Sequence, residues 1–556
     1  MNIRNRALHL LSLGLLLSLA APSWAAAQTA DQDALRQRIE ELGLESAPTI
    51  DGEPIAATTL IPALYQQREY ELAWTEGMMK ELLERVVRSV DDGLTPDDFH
   101  AAQLGARIDR VSKDSDPAFR ADTELLFTDA LARLAITLKY GKLDPSNLDP
   151  AWNFSRNLEM KDPVKVVNDA LTSGAVVEFL ESMDPTSEHY DRLRQALVVY
   201  RELQADGGWS TIPSGPVLEV ESVDPRAKIL RKRLRIEGDL RVADPADPAV
   251  FGADLESAVK RFQARHGLEA DGKVGPRSLE ELNVPVETRI GQIRATLERV
   301  RWVFRDVEDD YIIVDLAGFQ LFLFQGGEQT WKTRVQVGKP FHATPVFKDT
   351  VQYLEFNPTW TIPPSILRNE TLPAIRRDPS YLSSRNMSVV TNAGKKVDPS
   401  TIDWAATANK GFPYMIRQEP GPDNALGRVK FIFPNQYMVY LHDTPSKGLF
   451  SRSERAFSHG CIRTENPFDL AAILLADQGW DRPRIDQVLA SMKTTRVNLE
   501  NPIPVMLLYW TAQAYPDGTV HFRTDIYDGD AAIVEGLDEP FRVSAPAGTR
   551  EAIQGR

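Results

Sequence analysis

The stretch Ser458-His459-Gly460-Cys461-Ile462-Arg463 holds the densest cluster of reactive side chains in the chain, and Tyr440-Leu441-His442-Asp443 precedes it at the end of a predicted strand. A thiol with an ordinary pKa of about 8.5 is mostly protonated at neutral pH, so a nucleophilic cysteine needs a base or a cationic neighbour. His442 and His459 can supply either. The pattern predicts that Cys461 is a nucleophile.

Four neighbouring residues are candidates for supporting roles. Gly460 lacks a side chain, so a substrate carbonyl can approach and backbone N–H groups near it can bind an oxyanion. Arg463 is a candidate for holding a carboxylate or stiffening the loop. Asp443, or its backbone carbonyl, can fix the tautomer of His442. Ser458 is a further candidate for binding substrate or supporting the loop.

Two other interpretations of this cluster stay open at this point. Cys461, His442 and His459 are ligand types that suit zinc with a water in the fourth position. Alternatively the cysteine is buried and both histidines are structural. Cys461 is the only cysteine, so no internal disulfide can form. A lone thiol in an exported chain is exposed to oxidation, which favours a chemical role.

Around the cluster the periodicity is that of strands, from Tyr311–Asp315 to a hairpin turned at Asp517-Gly518. Residues 306–530 are therefore predicted to form a β-rich domain, and 531–556 a C-terminal tail. The segment from about 365 to 428 does not alternate and is rich in Pro, Asn and Gly, which predicts an inserted lid.

Upstream of residue 306 the periodicity is helical, which makes the whole chain a multidomain α+β protein. The breaks between helices divide this part into a tether, a scaffold domain, a compact helical unit and an amphipathic linker helix. These segments span residues 28–50, 51–210, 217–286 and 287–305 respectively.

The first 27 residues resemble a secretory signal peptide, with Arg4 and Arg6 before an apolar stretch and small residues near Ala25 and Ala27. An uncleaved membrane anchor is the alternative. The 556-residue chain has a net charge of −15 and 26% charged residues. An acidic total of this size gives no general attraction to phosphate backbones, so nucleic acid is not an expected partner.

Two stretches resemble known families. Ala258-Val259-Lys260-Arg261-Phe262-Gln263, followed by His266-Gly267-Leu268, Asp271-Gly272 and Val274-Gly275, resembles the peptidoglycan-binding domain family. The second resemblance is to the L,D-transpeptidase family, whose motif is a histidine, a spacer of about fifteen residues, then Ser or Thr followed by His-Gly-Cys. The chain is similar to its large periplasmic Gram-negative type, through Arg417 to Gly427 and Tyr440 to Pro445.

The resemblance implies that Cys461 attacks the third residue of a tetrapeptide stem, expels D-alanine and forms an acyl-enzyme. An amine on a second stem then makes a 3→3 cross-link. His442 is the implied base, His459 its neighbouring hydrogen-bond partner, and backbone N–H groups near Gly460 and Cys461 bind the oxyanion. No metal or organic cofactor is implied, and carbapenems are implied inhibitors. Arg463 stands where some smaller members carry Asn, which leaves its role open.

Several alternatives remain at this stage. The same site could hydrolyse peptides as an L,D-carboxypeptidase or endopeptidase, or attach a protein to the wall. The chain could also be a non-catalytic cell-wall-binding protein, or a general secreted cysteine protease. A peptidoglycan synthase and a carboxypeptidase are candidate protein partners, with the helical scaffold as the expected contact surface.

Overall fold

A computed structural model describes residues 21–148, 161–304, 307–407 and 411–542. The predicted signal peptide begins outside the described residues and stays a prediction. No helix in the described ranges has the length and apolar character needed to cross a bilayer. The chain divides into two compact units. The first is built from described residues within 1–143, 156–186 and 535–556, and the second from those within 144–155 and 187–534.

The first unit is helical, as the sequence predicts. Its core is a 24-residue helix that is buried on every side, begins after the capping carboxylate of Asp116 with Pro117 in first position, and ends at Gly141. The other helices surround it. The elements are helices α1 Ala21–Leu44, α2 Leu60–Gln67, α3 Glu76–Val87, α4 Ala101–Val111, α5 Pro117–Tyr140, α6 Pro163–Ser173 and α7 Val176–Glu181, and strands β1 Thr49–Ile50 and β2 Glu53–Pro54.

The tether predicted at residues 28–50 is wrong for most of that stretch, because α1 continues to Leu44 and packs against α5. Leu35, Ile39 and Leu42 are buried at spacings of four and three, which is the stripe of an amphipathic helix. Arg38 Nε also contacts Asp122 of α5 at 2.7 Å. Only three apolar positions form the stripe among many polar residues, and the sequence analysis overlooked it.

The second unit begins with helices α8 Glu188–Ala205, α9 Arg226–Ile236, α10 Ala253–Arg265, α11 Pro276–Leu282 and α12 Val286–Val303. Helices α9 to α11 enclose a small apolar core that includes Leu230, Leu255 and Phe262. The predicted compact helical unit falls here, and its glycine turns are present.

The basic run of α9 is not a solvated face. Arg226, Arg231 and Arg233 are buried. Their partners are carboxylates: Asp224 for Arg226, Asp254 for Arg231 and Glu237 for Arg233. Burying an unpaired guanidinium is very costly, so these ion pairs are what makes an arginine-rich helix compatible with a core.

The linker helix expected at residues 287–305 is α12, but it is not a spacer. Almost every residue from Arg289 to Val303 is buried, including charged ones, and the helix packs against α8 and β16 of the same unit. Arg299 and Arg301 are paired with Asp530 and Glu298. The apolar stripe read from the sequence therefore marks only one of several buried faces.

The β-rich domain is built on one sheet that closes on itself. Its strands run in the order β13-β5-β14-β12-β11-β6-β15-β3-β4, and β4 pairs back to β5. These strands are β3 Tyr311–Asp315, β4 Gln320–Gln325, β5 Glu328–Gly338, β6 Phe347–Phe356, β11 Val429–Ile432, β12 Leu441–His442, β13 Ala456–Ser458, β14 Ile462–Thr464 and β15 Thr495–Leu508.

The segment predicted as a lid has a fold of its own. Strands β7 Trp360–Thr361, β8 Met387–Val390, β9 Lys396–Val397 and β10 Met415–Gln418 form a separate four-stranded sheet, flanked by short helices α13 Pro364–Ile366, α14 Leu372–Arg377 and α15 Tyr381–Ser384. Ile362, Leu372, Val389 and Ile416 are buried in its core. We call residues 358–427 the insert; whether it acts as a lid stays a prediction.

The remaining elements complete the second unit and end in the first. They are helices α16 Pro467–Leu474, α17 Arg482–Ala490 and α18 Asp530–Asp538, and strands β16 Ala512–Ala514 and β17 Val520–Phe522. The predicted tail thus begins as a helix, and the Leu537 carbonyl accepts a 2.9 Å hydrogen bond from buried Lys142 of the first unit. Together the elements confirm the predicted class, a multidomain α+β chain with two helical parts and a β-rich domain.

Candidate active site

The two sequence stretches that suggested chemistry lie side by side in the sheet. Strands β12 and β14 are parallel, with Leu441 opposite Ile462 and His442 opposite Arg463. Paired residues project to the same face, and so do residues two apart along a strand. Cys461 directly precedes β14, two residues before Arg463, so the register continued by one residue places it on the same face as His442 and diagonal to it.

The Cys461 thiol is half-buried beside a turn. Its Sγ–H donates to the Met438 carbonyl at 3.7 Å, and Met438 has a positive φ of 56°. That turn directly precedes β12, which contains only Leu441–His442. Burial raises the pKa of the thiol, while the backbone and hydroxyl of Tyr440 and the charges of Lys430 and Arg463 act in the opposite direction. The resting group is a thiol that needs a base.

His442 is placed to be that base. The residue is 3% exposed, and its Nδ1 donates to the Asp443 carbonyl at 2.5 Å, which leaves Nε2 as the acceptor. Burial, with the charge of Arg463, lowers the pKa of His442 to about 3. The imidazole is consequently neutral throughout the neutral range.

Of the two tautomer-fixing groups that the sequence left open, the structure uses the Asp443 carbonyl. The Asp443 side chain has other partners: Oδ2 accepts from the Arg428 N–H at 2.8 Å and Oδ1 from Lys447 Nζ at 2.5 Å. A Cβ at Gly427 would lie 2.4 Å from the Asp443 carboxylate. The Asp443 side chain therefore anchors the backbone near His442, and the Asp443 carbonyl places the imidazole proton on Nδ1.

Ser458 and Gly460 shape the loop that carries the cysteine. Ser458 Oγ accepts from the Gly460 N–H at 3.0 Å and donates to the Cys461 carbonyl at 2.6 Å. The predicted oxyanion role is therefore not open to the Gly460 N–H as the loop stands. The Cys461 N–H has no acceptor among the described residues, and it is the donor that remains.

Gly460 is required for its backbone, and this is our first prediction. Its φ is +111°, which side chains rarely tolerate, whereas a Cβ there would meet nothing closer than 3.9 Å. We expect Gly460→Ala to cost about 1–3 kcal/mol, either as lost stability or as displacement of Cys461. The melting temperature and the rate of thiol acylation should report it. Gly448→Ala, at an ordinary φ with open space, is the control and should change neither.

His459 does not take its predicted place beside His442. Its Nε2 lies 2.9 Å from Glu370 Oε1, and its ring centroid lies 5.0 Å from that of His342. Glu370 belongs to the insert, in the helical turn Leu367–Thr371. The zinc interpretation fails on the same geometry, since the described side chains include no group of three ligands close enough to hold a metal ion.

The Glu370 contact makes a second prediction. Because it joins the insert to the loop before Cys461, we expect Glu370→Ala to speed hydrogen exchange in α13 to α15, while the melting temperature stays near that of the parent protein. Glu308→Ala, which removes an exposed carboxylate 3.3 Å from Lys348, is the matched control. Unchanged exchange in the Glu370 variant would show that the contact does not hold the insert.

Three residues that the sequence analysis missed support the loop from below. Thr344 Oγ1 donates to the Gly460 carbonyl at 2.8 Å and accepts from the Gly338 N–H at 2.9 Å. Tyr527 donates its hydroxyl to the Gly338 carbonyl at 2.7 Å. Gly338 and Thr344 are 6 residues apart, whereas Tyr527 lies 183 residues beyond Thr344, so only the fold brings all three together.

Comparison with known families now agrees with this architecture. Residues 309–498 match the L,D-transpeptidase catalytic domain, 224–282 a peptidoglycan binding domain, and 59–197 a scaffold domain. A Haemophilus influenzae protein named as an L,D-transpeptidase is 40% identical over 222 residues, which are 40% of this chain and 45% of that protein. The chain thus matches less than half the length of this relative.

Two solved structures also resemble parts of the chain. The L,D-transpeptidase from Xylanimonas cellulosilytica is 15% identical over 53% of this chain and 99% of its own, with a TM-score of 0.18. The Ldtfm-avibactam carbamoyl enzyme is 14% identical over 39% of this chain and 61% of its own, also with a TM-score of 0.18. On the family matches, residues 309–498 are an L,D-transpeptidase catalytic domain.

Proposed function

We propose that the protein is a cysteine-dependent L,D-transpeptidase that forms 3→3 cross-links in peptidoglycan. The observation that supports this best is the pairing of β12 with β14, which brings His442, whose Nδ1 is held by a carbonyl, beside the strand that Cys461 directly precedes. This is the arrangement that a thiol nucleophile and its base require.

In the proposed reaction His442 Nε2 takes the thiol proton as Sγ attacks the carbonyl of the third stem residue. The Cys461 N–H stabilises the oxyanion. The bond to D-alanine breaks, and the amine leaves with the proton from His442. The side-chain amine of a second stem then attacks the thioester, gives its proton to His442, and releases the thiol with a new amide bond. Each step uses only side chains and backbone groups described above.

The other domains supply the setting. A peptidoglycan-binding domain on the same chain can hold the enzyme on its polymer, and both domains fit an extracellular or periplasmic location. We propose the periplasm, reached through the predicted signal peptide, and a role in organising the cell wall and maintaining cell shape. The proposed partners are tetrapeptide stems as donor and acceptor, a synthase or carboxypeptidase that supplies them, and carbapenems as inhibitors.

One experiment tests this proposal directly. The purified protein is incubated with a carbapenem and, separately, with tetrapeptide muropeptides, and both protein mass and products are measured. An adduct on Cys461 together with cross-linked dimers supports transpeptidation. Tripeptide monomers without dimers would instead show that the protein is an L,D-carboxypeptidase. If a folded protein with a free thiol gives neither adduct nor product, the result supports a non-catalytic wall-binding protein instead.

A further inference from the structure

A row of charged and polar side chains crosses the sheet at the level of His442. Glu355 is opposite Lys430, Lys430 is opposite His442, His442 is opposite Arg463, and Arg463 is opposite Gln336. Five neighbouring strands each contribute one member. Because residues opposite each other share a face, all five side chains project on the face that also bears Cys461.

Lys430 is the lysine of this row, and the proposed chemistry gives it no role. Its ammonium group lies 3.6 Å from Glu355 Oε1 and 4.9 Å from the centre of the Tyr440 ring. The side chain is only 15% exposed. A mostly buried lysine costs free energy unless it is paired, and here one carboxylate and one ring face share that task.

The position of Lys430 connects it to both reacting groups. It flanks His442 on one side, as Arg463 flanks it on the other, and it contacts the ring of Tyr440, whose hydroxyl interacts with the Cys461 thiol. Arg463 is held loosely, with one hydrogen bond of 3.2 Å to Gln336 and an Nε that has no partner among the described residues. Two cations therefore bracket the base and face the nucleophile.

We propose that Lys430 is a positioning residue for the proposed reaction: its ammonium group, with Arg463, keeps His442 in its neutral, proton-accepting form and stabilises the thiolate of Cys461, while it fixes the Tyr440 ring. Glu355 tempers this charge from the far side of Lys430, and Arg496, opposite Glu355 on β15, closes the row. The inference rests on the proposed function insofar as Cys461 is the nucleophile.

The test follows the ionisation of Cys461 without any substrate. Iodoacetamide alkylates the thiolate, so its rate against pH gives the midpoint of thiol ionisation. In Lys430→Met the midpoint should rise by about one pH unit, and alkylation at pH 7 should fall about tenfold. Lys430→Arg keeps the charge and should restore both values. Lys348→Met, which removes a lysine from β6 with its own glutamate partner, should leave the midpoint unchanged.

A change of opposite sign guards against a variant that simply unfolds. Glu355→Gln leaves Lys430 in place but removes its carboxylate partner, so the midpoint should fall below that of the parent protein. A midpoint that does not move in a folded Lys430→Met protein, or that does not fall in Glu355→Gln, overturns the inference. Carbapenem adducts on the same samples report separately on the proposed function, because an unreactive parent protein would refute that function whatever the alkylation midpoint.

Discussion

Cys461→Ser should abolish acyl-enzyme formation, with acylation by a carbapenem falling by at least about 10³-fold. The substitution exchanges one atom in a half-buried side chain and leaves the Ser458 contacts to Gly460 and to the Cys461 carbonyl intact. The fold should therefore survive, and circular dichroism with the melting temperature checks that. Intact mass after incubation with the carbapenem gives the result.

The chain offers no second cysteine to take over, since Cys461 is the only one. An adduct of full stoichiometry on the Cys461→Ser protein would place the acylated nucleophile elsewhere. Cross-linked dimers from that variant would contradict the proposed reaction, whatever the mass of the protein.

His442→Gln is the second change with a large expected effect, a loss of about 10²–10⁴-fold in acylation rate. Glutamine can still donate to the Asp443 carbonyl, but it cannot accept the proton of the thiol. His459→Gln is the matched control, because His459 Nε2 faces Glu370. We expect the control to lose less than about tenfold, a range that one weakened contact explains.

The pH dependence adds a check on the same pair. The pKa of His442 is about 3, so its protonation does not limit the rate above pH 5, whereas the pKa of Cys461 is raised by burial. Acylation of the parent protein should accordingly rise with pH through the neutral range. A rate that falls between pH 5 and 8 would show that a protonated group is needed and would contradict the assignment of His442 as a neutral base.

The loop around Cys461 is the part of the candidate site that depends most on local sequence, for a physical reason. Ser458, Gly460 and Cys461 are joined by hydrogen bonds that span only a few residues, and the glycine marks a positive φ angle. Their arrangement therefore depends on residues that are adjacent in the sequence. The position of His442 also followed, because the end of one strand and the start of a neighbouring one are joined by a spacer of fixed length.

What the sequence could not supply depends on register and on distant contacts. Lys430 and Glu355 face His442 only through the pairing of three strands, and Glu370 reaches His459 from 89 residues away. Helices α9 and α12 are hard to interpret from sequence for a related reason. The arginines of α9 are typical of a solvent-exposed surface, and only the fold brings their carboxylate partners to them. Helix α12 shows one apolar stripe in the sequence, although its other faces are buried as well.

The insert joins the sheet in a way that bears on how such proteins diversify. Phe356 and Val429 are opposite each other in β6 and β11, so the chain leaves and returns at one rung, and the ends of the insert are paired again between Trp360 and Gln418. Burial of the insert's own apolar core then offsets the conformational entropy that is lost when the chain bridges that gap. A module fastened this way can be exchanged, lengthened or lost between lineages while the host sheet keeps the hydrogen bonds between β6 and β11.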